Sequence, residues 1–99
     1  MIEITRSEAE RIAARRAALM QQLKLTLISH LPLQLKVDEI ADDTPMFGTG
    51  LGLDSVDALA IAVAIEREFE IAVADEDVAG FRSLNLIADF ILQRQDKVA

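Results

Sequence analysis

The sequence predicts an all-α fold, a four-helix bundle of three longer helices and one short one, with a long loop between helices 1 and 2. Three observations lead there. Apolar residues recur at spacings of three, four and seven, as on one face of a helix. Capping residues stand ahead of the main apolar runs. No segment alternates apolar and polar residues for long enough to make a strand, and Ile71-Ala72-Val73 is too short to count. Hydrophobic residues make up 52% of the 99 residues, too many for a disordered chain, and only 4% are aromatic, so the core must be aliphatic and Ala-rich. That length is room for a single domain, residues 1–99, with a core from about 7 to 93.

Helix 1 has two candidate starts. Ser7-Glu8-Ala9-Glu10 and Thr5-Arg6-Ser7-Glu8 both place an acid three residues after a hydroxyl. The helix is expected to run to about His30, with Ile12, Leu19, Leu23, Leu27 and Leu31 on one face and Pro32 as its stop. Residues 32–54 form a connection long enough to be functional or partly structured. Leu33, Leu35, Val37, Ile40, Met46, Phe47, Leu51 and Leu53 can pin it to the core, and Gly48, Gly50 and Gly52 let it turn tightly. Helix 2 starts at Asp54 or Ser55 and runs to about Glu70. Asp75-Glu76-Asp77-Val78-Ala79 makes a helical turn or two. Ser83 caps the last helix, with Leu84, Ile87 and Ile91 on one face, and Val98 and Ala99 should fray.

Helix 2 is apolar nearly all round. Ile61, Ile65 and Phe69 recur every four residues and should face the core, flanked by Leu59 and Ala62. Val56, Ala60, Val63 and Arg67 fall opposite, with Ala64 beside them. So small a domain cannot bury both faces, which makes the outer one a candidate docking surface. Inside, Ala58 and Ala62 leave space near Leu59 and Ile61 where an apolar ligand could shelter.

Composition excludes several functions. The net charge is −7, from 17 acidic and 10 basic residues, whereas binding a phosphate backbone needs surplus cations. There is no Cys, hence neither a disulfide framework nor a thiolate metal site. No apolar run approaches the roughly 20 residues of a membrane helix. The N-terminal Met1-Ile2-Glu3-Ile4-Thr5 lacks the basic start and apolar core of a signal peptide, so the expected compartment is the cytoplasm. The acidic turns lack EF-hand spacing, so no metal is expected. Met20 and Met46 read as core fillers.

The chemistry concentrates in Gly52-Leu53-Asp54-Ser55-Val56-Asp57. A hydroxyl sits in the first turn of a helix, after glycines and beside acids. Asp54 can cap the helix and hold Ser55 at its tip, where free backbone N–H groups would favour an anion. On spacing alone, Ser55 could itself be only a cap. A catalytic triad is not supported, since the only His is His30 at the end of helix 1, where a cation suits the helix dipole. Gly48-Thr49-Gly50-Leu51-Gly52 has neither the Walker lysine nor a preceding strand and reads as a turn.

The segment Gly52-Leu53-Asp54-Ser55-Val56-Asp57-Ala58-Leu59 resembles the phosphopantetheine attachment motif of acyl carrier proteins, whose core is Asp-Ser-Leu or Asp-Ser-Ile. The likeness extends from Phe47-Gly48 through Glu66-Arg67-Glu68-Phe69 and Val73-Ala74-Asp75-Glu76-Asp77 to Ser83-Leu84 and Phe90-Ile91. It implies 4'-phosphopantetheine, taken from coenzyme A and attached at Ser55 with Asp54 beside it, whose terminal thiol holds acyl groups as thioesters. The reactive sulfur then belongs to the arm, which suits a chain without Cys. It also implies a carrier with no catalysis of its own, a substrate of a phosphopantetheinyl transferase and of acyl-loading, ketosynthase and other synthase enzymes in fatty-acid or polyketide-type synthesis. A monomer is expected, with Val56, Asp57, Ala60, Val63, Ala64 and Arg67 as the partner-binding face. Val56 replaces the usual Leu or Ile, and Ala74 a frequent Pro. Ala60 and Arg67 replace acids of fatty-acid carriers, which bears on partner choice. Leu53 breaks the Gly-Gly pattern of peptidyl carriers. The alternatives are a D-alanyl or other aminoacyl carrier with the same Ser55 chemistry, and an unmodified helical interaction protein.

Overall fold

A computed structural model of the chain describes residues 5–31, 35–47 and 51–97, apart from the side chains of Ser55 and Lys97. The expectations placed on Pro32, Leu33, Gly48, Gly50, Val98 and Ala99 lie outside the described residues. Four α-helices are described: α1 (Arg6–His30), α2 (Ser55–Phe69), α3 (Asp75–Val78) and α4 (Leu84–Lys97), with a 3-10 turn at Val37–Glu39 inside the connection between α1 and α2. The described residues hold no strand, only two isolated bridges, Pro45 to Ser83 and Phe47 to Leu53.

Of the two candidate starts of α1, Thr5 is the cap: its Oγ1 accepts from the Glu8 N–H at 3.1 Å. Leu19, Leu23, Leu27 and Leu31 are buried as the heptad spacing requires, but Ile12 is 59% exposed. The reason is length. The 25 residues of α1 extend about 37 Å, and the 14 of α4 about 21 Å, so the first turns of α1 outreach the bundle. No residue of α1 before Leu19 is buried.

The core is aliphatic. Leu23, Leu27, Met46, Ile61, Ile65, Leu84, Ile87 and Ile91 are its most buried members together with Phe81. Met20 is buried as well, so both internal methionines fill the core. The connection is pinned where the sequence suggests: Ile40, Met46 and Leu53 are buried, and Leu35, Phe47 and Leu51 pack against the core from its edge. Two polar ties fix its position. Asp42 accepts from the Lys24 ammonium at 2.7 Å through its carboxylate and from the Asn85 N–H at 2.9 Å through its carbonyl. The Met46 N–H donates to the Arg82 carbonyl at 2.9 Å.

The acidic turn of α3 is less solvated than its composition suggests. Asp77 Oδ2 accepts from the Ala74 N–H at 2.8 Å, and the same carboxylate pairs with Arg94 at 3.2 Å. The Arg94 guanidinium also lies 5.0 Å from the centre of the Phe90 ring, which meets Phe81 edge to face at 5.2 Å. Asp77 therefore joins α3 to α4. Ser83 caps α4 as expected, its Oγ accepting from the Leu86 N–H at 3.3 Å.

Candidate functional site

The approach to α2 is fixed on both sides. Leu53 is buried and holds the chain to the core, its N–H donating to the Met46 carbonyl at 3.1 Å. Just before it, Gly52 has φ 70°, a left-handed conformation that a side chain would strain. Asp54 then caps the helix. Its Oδ1 accepts from the Val56 and Asp57 N–H groups, both at 3.0 Å, while Asp57 Oδ2 accepts from the Asp54 N–H at 3.0 Å. This reciprocal box makes Ser55 the first helical residue of α2. Its neighbours Asp54 and Val56 are exposed, Val56 by 72%, so a group can reach the helix start from solvent.

One sequence expectation changes here. The start of α2 does not offer a set of free N–H groups to an anion, because the two carboxylates of the box already take those of Asp54, Val56 and Asp57.

The outer face of α2 has Val56, Ala60, Val63 and Arg67 exposed, as the helical period places them. Two residues exchange roles. Leu59, expected to flank the core, is 60% exposed, because two positions along a helix, from Leu59 to Ile61, turn it by about 200°. Ala64, expected on the outer face, is 2% exposed. It forms the floor of an open groove of about 340 Å³ whose walls are His30, Leu59, Ala60, Val63 and Arg67. Asp57 is half-buried at the helix start, its carboxylate engaged in the box. An apolar hollow beside α2 thus opens on its outer side, at Leu59. His30 stands in the last turn of α1, as its sequence position indicates, and it also lines the groove, which depends on how α1 crosses α2 and leaves no mark in local sequence. Leu59's place could have been read from its 200° offset.

A small helical bundle that presents a serine at a capped, accessible helix start has the architecture of a carrier domain. A family model described as a phosphopantetheine attachment site matches residues 25–91. The acyl carrier protein of Clostridium perfringens is 32% identical over 66% of this chain and 84% of its own length. Two mitochondrial acyl carrier proteins are also similar: that of Neurospora crassa, 37% identical over 54% of this chain, and that of Saccharomyces cerevisiae, 40% identical over 59%. The matches span 40% and 46% of those two longer proteins. The chain belongs to the phosphopantetheine-attachment family of acyl carrier proteins. Its prosthetic group is a covalently attached 4'-phosphopantetheine, and it is a carrier, not a catalyst.

Proposed function

We propose that Ser55 is the attachment residue and that this single carrier domain, residues 1–99, holds acyl intermediates as thioesters for fatty-acid or polyketide-type synthesis. The observation that carries the reading is the Asp54 and Asp57 box, which sets Ser55 at the first position of α2 within the span matched by the family. The Ser55 hydroxyl oxygen forms the new ester bond to phosphorus, the pyrophosphate linkage of coenzyme A breaks, and the nucleotide portion leaves. A phosphopantetheinyl transferase supplies that catalysis, and acyl-loading, ketosynthase and other synthase enzymes act on the thioester. Among this chain's residues, Asp54 keeps the helix start formed.

We place the docking of those partners on Val56, Asp57, Ala60, Val63 and Arg67, with Ala64 beneath them. What supports this is the exposure of Val56 and Val63, apolar side chains left in water beside a single cation. No described helix is long and apolar enough to cross a membrane. The reading takes the chain as a cytoplasmic monomer, and cell fractionation tests the compartment, since two similar proteins are mitochondrial by name.

The experiment is an intact mass spectrum after incubation with coenzyme A and a transferase. The mass should rise by one phosphopantetheine, and Ser55→Ala should abolish the gain while keeping the helical circular dichroism. A gain that survives Ser55→Ala would falsify the assignment.

A further inference from the structure

We propose that the groove between the end of α1 and the outer face of α2 is the resting place of the prosthetic arm, with the far end of the arm at His30 and Arg67. The inference rests on Ser55 as the attachment residue and adds a site for the arm on the protein's own surface.

Length comes first. Ser55 stands one turn before Leu59 and twelve residues before Arg67, which is about 6 Å and about 18 Å along the helix axis. From the serine oxygen to its sulfur, the arm is a chain of about 14 bonds. At three bonds per residue this equals roughly five residues of extended backbone, or about 16 Å. An arm anchored at Ser55 and laid along α2 therefore covers Leu59, Ala60 and Val63 and ends near Arg67.

Chemistry selects the same occupant. Leu59 and Val63, 60% and 50% exposed, give the groove apolar walls. Its polar side chains are Arg67, a donor only, and His30. The His30 Nδ1 lies 2.9 Å from the Thr26 carbonyl, which can only accept, so Nδ1 donates there and Nε2 is the ring nitrogen left for a ligand. The groove thus combines an apolar wall with two polar groups, the Arg67 guanidinium and the His30 imidazole. The arm combines a dimethyl-substituted carbon with two amides, each bearing one carbonyl and one N–H. A plain hydrocarbon cargo would leave Arg67 and His30 without partners. Tethering adds to the match, because an arm fixed one turn away meets the groove at an effective concentration on the order of millimolar.

A consequence follows for docking. At rest the arm covers Ala60, Val63 and Arg67, so a partner that engages this face displaces the arm as it binds. The face and the arm are then released to the partner together.

The test uses the full chain carrying the arm, with loading checked by intact mass. Methyl spectra of Leu59 and Val63 and the ring signals of His30 are compared with and without the arm. The rate at which a bulky maleimide captures the thiol is measured in wild type, Leu59→Ser and Val63→Ser. Both substituted positions are half-exposed or more, so the fold should persist, and circular dichroism verifies it. Methyl and ring shifts should concentrate in the groove. Capture should be about tenfold slower in wild type than in either variant, the factor expected when two methyl groups leave water and part of the gain goes to ordering the arm. Unmoved groove signals, or equal capture rates in all three proteins, overturn the inference while the mass gain leaves the Ser55 assignment standing. Groove signals that move only when transferase or synthase is added make the groove a partner site and also overturn it. A chain that gains no mass removes the Ser55 assignment and this inference with it.

Discussion

Replacing Asp54 by Ala isolates what the capping box contributes to the carrier site. The substitution removes the acceptor of two hydrogen bonds of 3.0 Å, from Val56 and Asp57, while the backbone N–H at position 54 keeps its bond to the Asp57 carboxylate. Losing an N-cap costs about 1 kcal/mol, within a range of roughly 0.5–2. Losing a negative charge at the positive end of the α2 dipole adds about 0.5 kcal/mol. The site is exposed, so water takes over the freed N–H groups and no penalty for burying them applies. The sum is about 1.5 kcal/mol. For a domain of this size each kcal/mol moves the melting temperature by about 4–8 °C, so the expected drop is roughly 6–12 °C.

Asp54→Asn separates geometry from charge. It keeps the acceptor and gives up only the charge, so its melting temperature should fall by about 2–4 °C. Loading of the arm should follow the same order, wild type above Asn above Ala, because a frayed first turn no longer fixes Ser55. Thermal unfolding followed by circular dichroism and a transferase time course followed by intact mass give both readouts. If Asp54→Ala melts within a degree of wild type, the box does not hold the start of α2. If Asn melts as low as Ala, charge and not cap geometry is what matters.

Three further outcomes are expected. Gly52→Ala forces a side chain into φ 70°, which costs about 1 kcal/mol and lowers both the melting temperature and the loading rate. Asp42→Ala leaves the Lys24 side chain, 11% exposed, without its carboxylate. Because Asp42 itself is 59% exposed and water can enter, the loss should be about 1–2 kcal/mol rather than the roughly 3–5 of a fully buried pair, and Lys24→Met should cost less in a urea melt. Arg67→Glu should weaken a cognate synthase partner, and partner affinity should fall only mildly across a salt series, since apolar contacts at Val56 and Val63 are not screened. A steep salt dependence together with no effect of Arg67→Glu would remove the support for an apolar docking face.

Much of the fold was legible because the helices announce themselves locally. Ser83 caps α4 and Asp54 caps α2 through contacts within three residues, which sequence spacing captures. The buried Leu19, Leu23 and Leu27 follow from a period of four or seven. Ile12 follows the same period and yet is exposed, because burial needs a neighbour as well as a face, and the neighbouring α4 is too short to supply one. Asp77 shows the reverse case. Its composition reads as a solvated acidic turn, but Arg94, seventeen positions away, is brought to it by the turn from α3 into α4.

The outer face of α2 lies between these cases. A helix that is apolar all round, in a domain too small to bury it, must leave apolar surface in water, and that much follows from composition and length alone. Which residues stay outside is then an angular question. Leu59 stays outside because it stands about 200° from Ile61, while Ala64, beside Ile65, is taken into the floor. What turns an exposed stripe into a groove is the second wall, His30, and its arrival depends on the crossing of α1 over α2. The connection between the two helices is itself held by long-range contacts, Lys24 to Asp42 and Met46 and Leu53 seated in the core. On the proposed assignment, the local pattern around Ser55 marks where the arm would begin, whereas the groove proposed for it is formed by the packing of α1 against α2, and so becomes readable only once the bundle is closed.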